Sequence, residues 1–163
     1  TSAILAGLIR QQVADVNMVS APIMIKEKGI VLSEVKRDKT GVYDGYIKLT
    51  VKTENQVRSI AGTVFSDGKP RFIQIKNINM DADVGNHMIY ITNTDVPGMI
   101  GFMGTTLGAA GVNIANFQLG REKESGDAIA LLYVDGKVEE SVLDQLRANP
   151  AIRQVKSLTF NVD

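Results

Sequence analysis

The sequence predicts an α+β fold in two small domains, and three observations carry that reading. The first half opens with two stretches of helical apolar spacing and continues as short strands joined by polar turns. The second half alternates strand, helix, strand, strand, helix, strand. Between the halves, residues 79–85 are polar and without periodicity, which divides the chain into domains 1–80 and 85–163. Helices grouped apart from an antiparallel run of strands define an α+β unit.

In the first domain, residues 2–16 are a predicted helix. Ser2 can cap it, and Leu5, Ile9, Val13 and Val16 share one face. A second helix spans 20–29, with Pro22 early and Gly29 as its stop. Residues 30–36 read as a strand, and Asp38-Lys39-Thr40-Gly41 as a polar turn. Residues 45–53 alternate cleanly, with Ile47, Leu49 and Val51 on one side and Tyr46, Lys48, Thr50 and Lys52 on the other. Residues 56–66 form the next strand. Asp67-Gly68 is a hairpin signal that Pro70 lengthens, and 71–78 is the last strand.

The second domain starts with a β-branched strand over 87–92. Pro97 suits a first helical position, where its missing N–H would be unpaired anyway. The helix that follows is expected to bury Ile100, Met103, Leu107 and Ala110, with Gly101, Gly104, Gly108 and Gly111 as a second stripe. Glycine costs a helix up to about 1 kcal/mol relative to alanine. So many in one helix imply a close approach by a sheet, a partner helix or a ligand. Strands over 113–120 and 127–134 flank a loop at 121–126. A helix over 137–148 turns Val138, Val142 and Leu146 inward, with Glu139 and Glu140 at its positive end and Arg147 near its negative end. Asn149-Pro150 stops it, and 151–160 is the final strand. The order βαββαβ is ferredoxin-like.

Composition bounds the function. The 163 residues are 44% hydrophobic and 22% charged, ordinary for a globular protein. Eighteen basic residues balance 18 acidic ones, which argues against a nucleic-acid partner. No apolar run reaches membrane length and no signal-peptide pattern is present, so a cytoplasmic location is expected. The chain has no cysteine and one histidine, which leaves no metal set to assemble. Neither a nucleophile elbow nor a glycine-rich phosphate loop occurs. No catalytic residue is expected. Thr1 leads straight into a helical pattern, as in a piece of a longer protein.

The start of the second domain's first helix offers unpaired N–H groups and a positive dipole end, suited to a carboxylate or phosphate. Asp95 just before it and Asn113 just after it add a carboxylate and an amide. Together they suit a zwitterion such as an amino acid. The plainer reading stays open, with Asp95 as a turn residue and Asn113 as a polar group opening a strand.

Residues 85–163 resemble the ACT domain, a small-molecule-sensing module of this same strand and helix order. The motif is Asn93-Thr94-Asp95-Val96-Pro97-Gly98-Met99-Ile100-Gly101, followed by Leu107-Gly108-Ala109-Ala110-Gly111-Val112-Asn113-Ile114. More broadly, the chain is similar to the C-terminal part of the long-form D-3-phosphoglycerate dehydrogenases. Val16-Asn17-Met18-Val19-Ser20-Ala21-Pro22, Ile60-Ala61-Gly62-Thr63-Val64-Phe65 and Pro70-Arg71-Phe72-Ile73-Gln74-Ile75 match that family's intervening, or allosteric substrate-binding, domain.

The resemblance implies a regulatory fragment that senses L-serine. Its parent would oxidise 3-phosphoglycerate with NAD in serine biosynthesis. Catalysis and NAD binding belong to domains outside this sequence, so the fragment itself has no cofactor. The resemblance places Asn93, Asp95 and Asn113 at effector-contacting side chains, with Gly98 and Met99 giving backbone N–H groups. Position 93 departs from the family, whose members carry His or Tyr there. Arg71 falls at a basic position of the intervening domain, so an anion site for phosphate or 3-phosphoglycerate is expected at Arg71, helped by Arg58 and Lys69. A solvated basic edge is the alternative.

Two other readings differ in class. The iron–sulfur L-serine dehydratases resemble the same pair of domains, and the chain also fits an oligomerisation module with no effector. A homo-oligomer is expected in any case. The second strand of a ferredoxin-like sheet lies at an edge, and here it carries Ile114, Phe117 and Leu119 and no charge up to Gly120.

Overall fold

The computed structural model of the chain describes residues 1–36, 43, 45–122 and 126–162. The polar turn expected at Asp38-Lys39-Thr40-Gly41 lies outside the described residues, as do residues 123–125 of the 121–126 loop. The chain divides into two compact units, 1–40 and 41–163. The division therefore falls at 40/41, while the stretch around 79–85 is internal to the second unit.

The first unit holds α1 (Ser2–Ile9) and α2 (Ala21–Glu27). Leu5, Ala6, Ile9, Val16, Ala21 and Ile25 form its core. The first helix stops at Ile9, short of the expected residue 16, and Asp15 takes a left-handed φ of 59°. Val16 is buried all the same, so its apolar spacing reflects packing rather than helix. Asn17 Oδ1 accepts the N–H groups of Val19 and Ser20 at 2.9 and 3.0 Å, a side-chain turn that leads into α2. The strand expected over 30–36 does not form. These residues have no ladder partner, and Val31 and Val35 are exposed.

The second unit is built on two antiparallel four-stranded sheets. The first contains β1 (Ile47–Lys52), β2 (Val57–Val64), β3 (Pro70–Ile75) and β4 (Ile78–Asp83), in that spatial order. β4 occupies most of the stretch read as a boundary. It buries Ile78, Met80 and Ala82 and turns Asn79, Asp81 and Asp83 outward, a two-residue alternation half hidden by its polar partners.

The second sheet contains β5 (His87–Thr94), β6 (Ile114–Arg121), β7 (Asp127–Val134) and β8 (Ile152–Thr159) in the order β6-β7-β5-β8. Helices α3 (Met99–Ala109) and α4 (Glu140–Arg147) complete the βαββαβ topology. One face of this sheet presents Ile89, Ile91, Ala130 and Leu132 to Met103 and Leu107 of α3 and Leu143 and Leu146 of α4. The opposite face packs Met88, Ile129 and Leu131 against Ile75, Ile78 and Met80 of the first sheet. β7 is covered on both sides, and that is why Ala128 to Val134 read as a nearly continuous apolar run. At Gly120 the sheets come so close that a Cβ would lie 2.4 Å from Ile78 Cγ2 and 3.1 Å from the Asn79 carbonyl oxygen.

Helix α3 turns a different face inward from the one expected. Met99, Met103 and Leu107 are buried, whereas Ile100 is 55% exposed and Ala110 is exposed. The cause is the entry of the chain: Gly98 takes a left-handed φ of 88°, and helical phase begins at Met99. At the other end Gly111 (φ 71°) lets Val112 N–H reach back to Leu107 O at 3.0 Å, closing the helix. A methyl group added at Gly101, Gly104 or Gly108 would meet nothing within 4 Å, so among the described residues no sheet or helix approaches that stripe.

Candidate functional site

The residues around the start of α3 converge because β5 ends beneath it. Asn93 is 1% exposed on the helix-facing side of β5. Its Nδ2 donates to Thr94 O at 2.8 Å, and its Oδ1 is buried without a partner. The β5–β8 ladder shifts register between Thr92 and Asn93, next to that orphaned oxygen. Asp95 follows the strand, its N–H donating to Gly126 O at 2.9 Å. Arg121 Nη1, at the far end of β6, donates to Asp95 Oδ2 at 3.2 Å. Among the described residues the N–H groups of Gly98 and Met99 have no acceptor, as expected of a first helical turn. Asn93, Asp95, Gly98 and Met99 therefore follow one another along the connection from the end of β5 to the first turn of α3.

Asn113 stands apart. Its Nδ2 donates to Asp135 Oδ2 at 2.6 Å, at the opening of β6. β5 and β6 both run antiparallel to β7, so they run parallel to each other. Asn113 thus precedes the first residue of β6, and Arg121, which holds Asp95, is its last. Eight residues at about 3.3 Å each put the two groups roughly 25 Å apart. A single chain does not bring Asp95 and Asn113 to one ligand.

Arg71 is already surrounded by carboxylates. It lies 3.1 Å from Asp67, 2.9 Å from Asp83 and 3.5 Å from Asp81, and its guanidinium sits 4.7 Å above the Phe65 ring. Burial works against its charge, but the bond to Asp67 and the fields of Asp83 and Asp81 outweigh that and hold its pKa above the usual range. Asp67 is held below the usual carboxylate range, first by the Lys69 N–H and then by Arg71, with burial opposing. One guanidinium among three carboxylates leaves the cluster net negative. Arg58 does not join it. Arg71 pairs with Thr63 in the ladder and Arg58 with Val51, five positions further along β2, roughly 16 Å away. Lys69 contributes its backbone N–H to Asp67 at 2.9 Å.

The comparisons add a family to this geometry. Residues 1–76 match the family described as the D-3-phosphoglycerate dehydrogenase intervening domain. The match covers the first unit and ends in the β3–β4 turn of the second. Relatives extend it over the rest of the chain. The D-3-phosphoglycerate dehydrogenase of Bacillus subtilis is 32% identical over 157 residues, which is 96% of this chain and 30% of the relative. That of Synechocystis is 32% identical over 152 residues, 93% of this chain and 27% of the relative. That of Methanocaldococcus jannaschii is 32% identical over 156 residues, with coverages of 94% and 29%. The chain thus spans about 30% of the length of the dehydrogenases it matches. No helix among the described residues is long and apolar enough to cross a membrane.

Sequence reading missed the partners that these side chains take up in the fold. Arg121, Asp135, Asp81 and Asp83 reach their mates across strands, and no local spacing marks such pairs. Only Asp67 and Arg71 are close in sequence, four positions apart.

Proposed function

We propose that this chain is the effector-sensing, non-catalytic part of a D-3-phosphoglycerate dehydrogenase. In this reading residues 85–163 act as an ACT domain that binds L-serine. NAD-dependent oxidation of 3-phosphoglycerate is the work of domains outside this sequence, in a cytoplasmic enzyme of serine biosynthesis. The names of the relatives favour the dehydrogenase over an iron–sulfur dehydratase.

The observation that carries the proposal is the separation of Asp95 from Asn113 along β6, the outermost strand at one edge of its sheet. Antiparallel pairing of two β6 edges about a two-fold axis would set the start of one strand beside the end of the other. Asn113 of one copy would then face Asp95 of its partner, and the serine would bridge them. Its carboxylate suits the Gly98 and Met99 N–H groups. Its ammonium suits Asp95, which has a second oxygen in reserve beside the one held by Arg121.

Calorimetric titration with L-serine tests this. A charged hydrogen bond is worth roughly 1.5–3 kcal/mol, so Asp95→Ala should weaken binding about ten- to a hundredfold. Asn113→Ala, removing a neutral amide, should cost about 0.5–1.5 kcal/mol. Unchanged affinity in Asp95→Ala would refute the assignment. Absence of heat with the wild type would leave an oligomerisation module without an effector. A phosphate at Arg71 would have to displace the three carboxylates around it, so serine is the ligand this proposal ranks first.

A further inference from the structure

We propose a second small-molecule site in the second unit, in the cleft between its two sheets, where Lys76, Thr92, Glu122 and Asp127 line a cavity suited to a small zwitterion. It lies on the other side of the second sheet from α3. Thr92 and Asn93 are neighbours on β5, so their side chains point to opposite faces, Asn93 toward the helices and Thr92 toward the first sheet.

The cavity holds about 180 Å³, and Ile78 and Ile129 give it apolar walls. A cavity of about 150 Å³ is enough for a ligand the size of benzene. The polar groups around it are in an uncommon state. Lys76 occupies the β3–β4 turn with a left-handed φ of 54°, which a residue with a Cβ adopts at a cost. Ser59 pins it there, accepting the Lys76 N–H at 2.7 Å and donating its hydroxyl to Lys76 O at 2.8 Å. Among the described residues the Lys76 ammonium has neither a hydrogen-bond nor an ion-pair partner, though it is partly buried. Burial and the nearby Arg58 hold its pKa below the usual range, with Asp127 and Glu122 offsetting in part. A partly desolvated cation without an acceptor gains from any carboxylate that reaches it.

The other polar groups supply the second half of the ligand. Thr92 is 8% exposed, and its hydroxyl has no partner among the described residues. Nor does the Glu122 carboxylate. Asp127 is held by Arg153 at 2.9 Å. Cations (Lys76, Arg153 and the nearby Arg58) and carboxylates (Glu122 and Asp127) both face the cleft, so it offers a partner to each end of a molecule with one charge of each sign. Arg58 beside Lys76 fixes the polarity. The carboxylate goes to Lys76 and the Thr92 hydroxyl, and the ammonium to Glu122. The chemistry is that of a small α-amino acid, bound independently of Asp95.

Amide-resolved NMR of the 163-residue chain tests the site. The probes are L-alanine, propionate, which lacks the ammonium, and ethylamine, which lacks the carboxylate, each to about 20 mM. L-Alanine is expected to shift the amides of 76–78 and 128–129 with at least about tenfold higher affinity than either half-molecule. Lys76→Met should weaken that response about tenfold and Asp95→Ala should leave it intact. Glu122→Gln, at an exposed residue, should also weaken it and serves should Lys76→Met fail to fold. Absence of shifts at those amides, a response to propionate equal to that to L-alanine, or a response untouched in both folded variants would overturn the proposal. Failure of the Asp95 site would appear separately, as silent amides at 98–101 during an L-serine titration.

Discussion

Asp95, Arg71 and Gly120 show how differently single residues are constrained here. Gly120 is fixed by space. Ile78 Cγ2 is β-branched and stiff, and the Asn79 oxygen is backbone, so neither yields to a new methyl group. Gly120→Ala should therefore destabilise the second unit by about 1–3 kcal/mol, read as a lower midpoint in urea at unchanged slope. Arg71 is fixed by charge. Because Asp67 has a depressed pKa in the folded protein, it favours the fold above the ordinary aspartate value of about 4. That contribution is lost as pH falls through the lower folded value. The melting temperature should decline below about pH 4, and Asp67→Asn should make the decline shallower. At neutral pH Arg71→Met should lower the melting temperature, because Asp67, Asp81 and Asp83 would then repel one another with no cation among them. An unchanged melting temperature would mean that the carboxylates are solvated independently of Arg71.

Among the elements, α3 makes the sharpest comparison. Leu107 is fully buried, so Leu107→Ala should cost about 2–5 kcal/mol, whereas Ile100→Ala, at an exposed position, should stay within about 0.5 kcal/mol. Chemical denaturation of the two variants measures both. Spacing alone pointed to Ile100, because Ile100, Met103 and Leu107 and the set Met99, Met103 and Leu107 both satisfy helical periodicity. The left-handed Gly98 sets the phase, and periodicity carries no information on it. The same limit accounts for β4 and for residues 30–36. β4 buries Met80 and Ala82 between outward aspartates, a pattern that reads as polar until its neighbour β3 is in place. Residues 30–36 open with the apolar run Ile30-Val31-Leu32 but find no ladder among the described residues, since a strand is defined by its partner. The second sheet was legible almost throughout, and β7 runs over the residues expected of it, because burial on both faces writes an unbroken apolar run. Within the candidate site, Asp95 and the helix start were legible from the turn chemistry around Pro97. The distance from Asp95 to Asn113 was not, because it depends on the direction of β6.

At the scale of the whole molecule, that distance becomes a statement about assembly. A β6 edge without charge up to Gly120 has nothing to repel a second copy, so sedimentation at tens of micromolar should show a dimer or larger. A monomer at that concentration would count against a shared site. The most direct measurement asks which chain supplies which half of it. Wild-type chain is mixed with a ninefold excess of the Asp95→Ala/Asn113→Ala double variant, subunits are allowed to exchange, and full-affinity L-serine sites are counted per wild-type chain by calorimetry. If each site takes Asp95 from one copy and Asn113 from its partner, every mixed dimer lacks one half of each site. Full-affinity sites per wild-type chain should then fall to about a tenth of their number in the pure wild type, the share of wild-type chains that meet another in a two-fold dimer. A count per wild-type chain that stays unchanged after exchange would contradict the shared site and return both halves to a single chain.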